Sequence, residues 1–96
     1  MKNINNKISD TAKLLKAISD PIRLKMLKLL FQEKKSCVSE LSEKLDVSVA
    51  VASHHLKLME SAGVLKPERY GKRICYVLSS DDFAKDVLKF ISKKYK

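Results

Sequence analysis

Apolar residues recur at three- and four-residue intervals along most of this chain and alternate with polar ones in one stretch. The contrast separates helices from strands, because a helix repeats a face every 3.6 residues and a strand every two. Ile8, Ala12, Leu15 and Ile18 mark a first helix over 8–18 that Ser9-Asp10 would start, leaving residues 1–7 as a loose arm. Asp20-Pro21 restarts the chain, since Asp caps an amino end and Pro suits the first helical position. A second helix over about 21–33 then buries Ile22, Met26, Leu27 and Leu30. Val38 fits a very short extended segment, after which Ser39 would cap a third helix with Leu41 and Leu45 inward. Asp46 takes a tight turn, where Asp tolerates left-handed angles better than most residues. Ser48 caps a fourth helix and Gly63 ends it. Val64-Leu65-Lys66 and Lys72 to Leu78 read as two strands around Tyr70-Gly71, with Ile74, Tyr76 and Leu78 on one face. Asp81 and Asp82 favour the start of a fifth helix over 81–93, striped by Phe83, Val87, Leu88 and Ile91.

Two helices of this length joined by three or four residues make a helix-turn-helix, here over 39–61, and the strands over 64–78 make a wing beside it. The expected fold class is mainly α with a small β-hairpin. It is a winged helix-turn-helix, ordered α-α-α-α-β-β-α, in one domain over 1–96. The fourth helix places Val49, Ala50, Ser53, His54 and Lys57 on one face, opposite Val47, Val51 or Ala52, Leu56 and Met59. A face of small or polar side chains with one cation suits the floor of a DNA major groove. Charge strengthens this: 20 Lys and Arg against 11 Asp and Glu give a net +9, a field that attracts polyanions. An A-form major groove is too narrow for such a helix, so double-stranded DNA is the expected partner.

Composition excludes other classes. At 45% apolar and 32% charged the chain is globular rather than disordered. The polar start, Met1 to Asp10, lacks the apolar stretch of an export signal, and no window approaches a membrane span. A cytoplasmic protein without a membrane partner is the expectation. Without a Gly-rich phosphate loop, a coherent metal motif or a nucleophile beside a base, no enzyme and no cofactor are expected.

The chain resembles the ArsR/SmtB family of winged-helix repressors. The resemblance is carried by Leu14-Leu15-Lys16-Ala17-Ile18-Ser19-Asp20-Pro21-Ile22-Arg23-Leu24, Val38-Ser39-Glu40-Leu41, Ser53-His54-His55-Leu56 and Ala62-Gly63-Val64-Leu65. It implies a homodimer built from the first and last helices that binds an imperfect inverted repeat and blocks transcription until a ligand, commonly a metal ion, releases it. The residues support a dimer independently, because the stripes of those helices are hard to bury within one small domain. Ile8, Leu15, Phe83, Val87, Leu88 and Ile91 are the candidate interface. Pairing would set two recognition helices about 34 Å apart, one turn of DNA. Ser53, His54 and Lys57 would contact bases, Ser48 the phosphates, and Arg69, Lys72 and Arg73 the backbone or minor groove. Val49 and Ala50 depart from the family's polar pattern; they cannot hydrogen-bond base edges, though either could touch a thymine methyl.

No metal ligand set is expected. The family's thiolate site uses Cys-Val-Cys ahead of the third helix, where this chain has Cys37-Val38-Ser39, and its other site needs His in the last helix, where residues 81–96 have none. His54 and His55 diverge by about 100° as helical neighbours. The inducer is unknown, and thiol oxidation is one candidate signal. In a winged helix the segment before the third helix usually pairs with the second wing strand. Cys37 and Cys75 would then share an outer face, close enough to join if their Cα atoms lie within about 7 Å, with Lys35, Lys72 and Arg73 favouring thiolate. A winged helix that serves only as a protein-interaction module is the alternative function.

Overall fold

In the computed structural model, residues 3–95 are described. Five helices, α1 (Ile4–Ile18), α2 (Pro21–Glu33), α3 (Val38–Leu45), α4 (Val49–Ser61) and α5 (Asp82–Ser92), enclose one core. Three strands complete it, β1 (Lys35–Cys37), β2 (Leu65–Tyr70) and β3 (Arg73–Leu78), and a 3-10 turn follows at Lys93–Tyr95. The strands form an antiparallel sheet in the order β1-β3-β2, so β1 joins the β2–β3 hairpin to the helical body.

Local chemistry explains most boundaries. The Asp20 carboxylate accepts from the Ile22 and Arg23 amides, at 2.9 and 3.1 Å, with Pro21 in the first turn of α2. Asp81 caps α5 by accepting from the Ala84 amide. Both ends of the segment holding α4 are left-handed corners. Asp46 has φ 55, and beyond it Val47 N–H donates to Ser42 O while Asp46 N–H donates to Glu43 O. Gly63 has φ 82, with Val64 N–H on Met59 O and Gly63 N–H on Glu60 O. Each pair satisfies two carbonyls that a helix end otherwise leaves open. Gly71, with φ 62, holds the first of two turn positions between Tyr70 and Arg73, as a type II′ hairpin requires. Pro67 sits in β2, an edge strand that can spare its amide.

Several expected details shift. α1 starts at Ile4, with Asn3 accepting from the Asn6 amide at 2.9 Å. The expected arm over 1–7 is therefore helical from residue 4; residues 1 and 2 lie outside the described residues. α1 is also rotated from the expected single stripe. Leu14, Ala17 and Ile18 enter the core, while Ile4, Ile8 and Leu15 stay exposed. Cys37, not Ser39, precedes the first turn of α3, because the Glu40 carboxylate reaches back to accept from the Cys37 amide at 3.0 Å. Val38 is accordingly helical rather than extended. β2 runs on to Tyr70, which moves the hairpin turn to Gly71-Lys72.

The core is built from Leu14 and Ile18 of α1, Met26, Leu27 and Leu30 of α2, Leu41 of α3, and Ala52, Leu56 and Met59 of α4, closed by Tyr76 and Leu88. Tyr76 donates its hydroxyl to Glu60 Oε1 at 2.9 Å, which ties β3 to α4. Burial, then the Glu60 carboxylate, pushes the Tyr76 phenol up to about 12.

Two expectations follow. Nothing lies within 4 Å of a Cβ built on Gly63, so Gly63→Ala carries backbone strain alone. It should cost about 1 kcal/mol, lowering the melting temperature by about 4–8 °C at fixed protein concentration. Tyr76 binds its proton more tightly folded than unfolded, so its contribution is complete below pH 10 and lost as pH rises towards 12. In melts across that window the wild type should lose stability faster than Tyr76→Phe, and the gap between them should narrow.

Candidate nucleic-acid interface

Burial fixes how α4 is turned about its own axis. Ala52, Leu56 and Met59 have no exposed surface. The other side then faces outward: Val49, Ala50, His54 and Lys57 are exposed and Ser53 is half-buried. Ser48 caps the helix, its hydroxyl accepting from the Val51 amide at 3.0 Å. The first turn holds no acidic residue, so the positive end of the helix dipole stays uncompensated. An anion arriving there meets free amides and a favourable field.

The wing tip adds Arg69 and Lys72, both exposed. Arg73 is exposed as well, and its guanidinium lies 3.5 Å from Glu40 Oε1 of α3. Glu40 therefore serves the Cys37 amide and Arg73 together. No sequence signal exposes the Arg73 partner, which lies 33 positions away; the Glu three residues after Cys37 is at least a capping pattern.

Register sorts the sheet into two faces. Ile74, Tyr76 and Leu78 share the core face, and Cys37 and Cys75 share the other, directly opposite one another and joined by a disulfide. Lys35, Glu68, Tyr70 and Arg73 belong to the same outer face. Lys35 Nζ donates to the Tyr70 hydroxyl at 2.7 Å and pairs with Glu68 at 3.2 Å, and the Tyr70 hydroxyl donates to Glu68 at 2.7 Å. The hydrogen bonds with Tyr70 raise the Lys35 ammonium and lower the Glu68 carboxyl from their ordinary values. Both cysteines are buried on this face, with Cys37 6% and Cys75 2% exposed. Burial of the pair was not legible from alternation alone.

Among the described residues the donors for a metal do not converge. Cys37 is bonded to Cys75, Ser39 is exposed on α3, and Asp81 is engaged as a helix cap. His54 and His55 meet edge to face, ring centres 5.9 Å apart, rather than aiming at one point. His55 is half-buried with its Nδ1 unpartnered, behind the outward face. These residues do not fit the metal sites implied by the resemblance.

Of the candidate dimer residues, Ile8, Leu15 and Phe83 are exposed, and Val87 and Ile91 are half-buried. Leu88 is a correction, since it is 3% exposed and belongs to the core. Ile4 and Phe90, at 67% and 66% exposed, extend the two apolar faces. The half-stripe at Ile4 was obscured by the polar residues around it, and Phe90 by the charged run that follows.

The model of the arsR family of bacterial regulatory proteins matches residues 20–66, from the cap of α2 into β2. A homologue of the cadmium resistance transcriptional regulatory protein CadC from Staphylococcus aureus is 38% identical over 75% of this chain and 60% of its own length. The chain thus spans under two thirds of that relative. The transcriptional repressor SdpR of Bacillus subtilis is 35% identical over 83% of this chain and 91% of its own. Among solved structures, HlyU from Vibrio cholerae superposes with a TM-score of 0.80 at 26% identity, covering 98% of each chain. With five helices, a β-hairpin and the bare face of α4 in this arrangement, the chain belongs to the arsR family of transcriptional regulators, a family of DNA-binding proteins rather than enzymes.

Proposed function

We propose that two copies of this chain bind an inverted repeat in duplex DNA and repress transcription there. One observation carries this above the others: α4 buries Ala52, Leu56 and Met59 completely and leaves Val49, Ala50, Ser53, His54 and Lys57 towards solvent beside a basic hairpin. A helix entering the major groove reads bases with such a face, while Arg69 and Lys72 hold phosphates. The name of SdpR, a repressor, supports the direction of control.

The second copy answers a different need. Ile4, Ile8 and Leu15 are separated by four and seven residues and so share one face of α1; Phe83, Val87 and Phe90 do the same on α5. Exposed apolar stripes of this extent are covered in stable proteins, and a two-fold partner covers both at once.

The signal for release is a thiol–disulfide change at Cys37 and Cys75. Two thiols lose two electrons and two protons to a peroxide, which is reduced to water or alcohol and water, and one S–S bond forms. That bond pins β3 to the start of α3, where Arg73 rests on Glu40, and so fixes how the wing is set against the helix-turn-helix. Reduction removes that tether while the β1–β3 ladder keeps its register, and the dithiol form is the tight binder.

Fluorescence anisotropy on duplexes selected from a random pool tests the DNA reading. The logarithm of affinity should fall with that of salt, with a slope of about −5 for three cations per protomer. Lys72→Ala should flatten that slope by about 2 in the dimer. A salt-independent affinity, or no duplex bound above random sequence, contradicts the proposal. For the signal, peroxide should weaken the wild type on the same duplex and a dithiol should restore it. The Cys37→Ser, Cys75→Ser double variant should bind alike in both; an equal response in that variant would remove the thiols from the account.

A further inference from the structure

The first turn of α4 carries side chains whose presence folding does not explain. Val49 is 55% exposed, and Ala50 beside it is exposed as well. Exposed valine gains little from burial, and its branched side chain loses χ1 freedom in a helix. The first turn is also where acidic residues oppose the dipole, and α4 has none there. Local stability thus favours other residues at these positions, a conflict that functional surfaces often show.

Position supplies the reason. In helix-turn-helix docking the amino-terminal residues of the recognition helix reach the base edges. Val49 shares its side of α4 with Ser53, and Ala50 lines up with His54 and Lys57. The polar groups therefore sit a turn or more beyond the deepest point, which is apolar. Val51 and Leu58, also exposed, lie on another flank of the helix.

We infer that Val49, with Ala50 beside it, is the specificity surface of α4 and reads the C5-methyl groups of thymine in the major groove. This rests on the DNA-binding function proposed above. The thymine methyl is the one apolar group that projects from the major-groove floor; beside it the bases offer hydrogen-bond donors and acceptors, and cytosine only a small C5–H. A valine over a methyl excludes water and gains burial on both sides. Over cytosine N4 or guanine N7 and O6 it strands a polar group without a partner. His54 and Lys57 then add polar contacts towards the sides of the groove.

The experiment uses the full chain and duplexes it selects from a random pool. Wild type and Val49→Ser are titrated onto the preferred duplex and onto copies in which single thymines become deoxyuracil, which removes only the methyl. Selected half-sites should hold a fixed thymine, and its replacement should weaken wild type by about fourfold per methyl, the burial value of one carbon. Val49→Ser alters both protomers and should lose about sixteenfold on the thymine duplex, about fourfold per half-site, and respond no further to deoxyuracil. Its melting temperature should match wild type, because the site is exposed. Half-sites without a fixed thymine, or a wild type indifferent to deoxyuracil, overturn the inference and leave DNA binding intact. Failure to enrich any duplex overturns both.

Discussion

Everything proposed for this chain depends on how firmly α4 is held. Ala52, Leu56 and Met59 are sealed into the core, and that single stripe sets the rotation of the helix. Rotating α4 far enough to hide its outer face would expose two large side chains and lose about 1.5–3 kcal/mol for each. The corners at Asp46 and Gly63 act along the axis instead, because each closes its helix end with paired amide–carbonyl bonds. Rotation and axial position together leave Val49, Ala50, His54 and Lys57 exposed, with Ser53 half-buried among them. The buried stripe is a folding feature whose consequence is a binding face.

Charge is distributed on the same plan. Some cations are spent inside the molecule: Arg23 donates to Ala17 O and pairs with Asp20, Lys35 holds Tyr70 and Glu68, and Arg73 rests on Glu40. Such exposed or half-exposed pairs contribute little to stability, but they orient the elements they join. Lys57 on α4 and Arg69 and Lys72 on the hairpin are exposed. The net charge of +9 says only that a polyanion is attracted; these positions say where it would lie. The Tyr76–Glu60 bond matters for the same reason, since it sets the hairpin against α4.

Much of the fold was legible because it is written in local rules. Asp20-Pro21, Ser48, Asp46 and Gly63 each perform the capping or corner chemistry their residue types favour. Where two choices satisfied the local pattern, sequence alone could not decide. Leu14 and Leu15 are adjacent, so either rotation of α1 produces a stripe, and packing against α2 and α4 selected Leu14 for the core. Leu88 lies between Val87 and Lys89 and was equally ambiguous until α5 was docked. The start of α1 at Ile4 was hidden because Asn3 and Ser9-Asp10 are equally good caps, and the polar residues between them show no apolar stripe. Contacts between distant elements, Arg73 with Glu40 and Tyr76 with Glu60, have no periodicity to betray them. The outer-face placement of Cys37 and Cys75 did follow from strand alternation, though alternation gave no sign that this face would bury them.

In the proposed complex two bare α4 faces enter successive major grooves on one side of a duplex. Hydroxyl-radical footprinting of the reduced protein on a selected duplex measures this directly. The account predicts two protected windows whose centres lie about 10 base pairs apart, related by the two-fold symmetry of the sequence beneath them. One window alone, or uniform protection without a helical period, would contradict it.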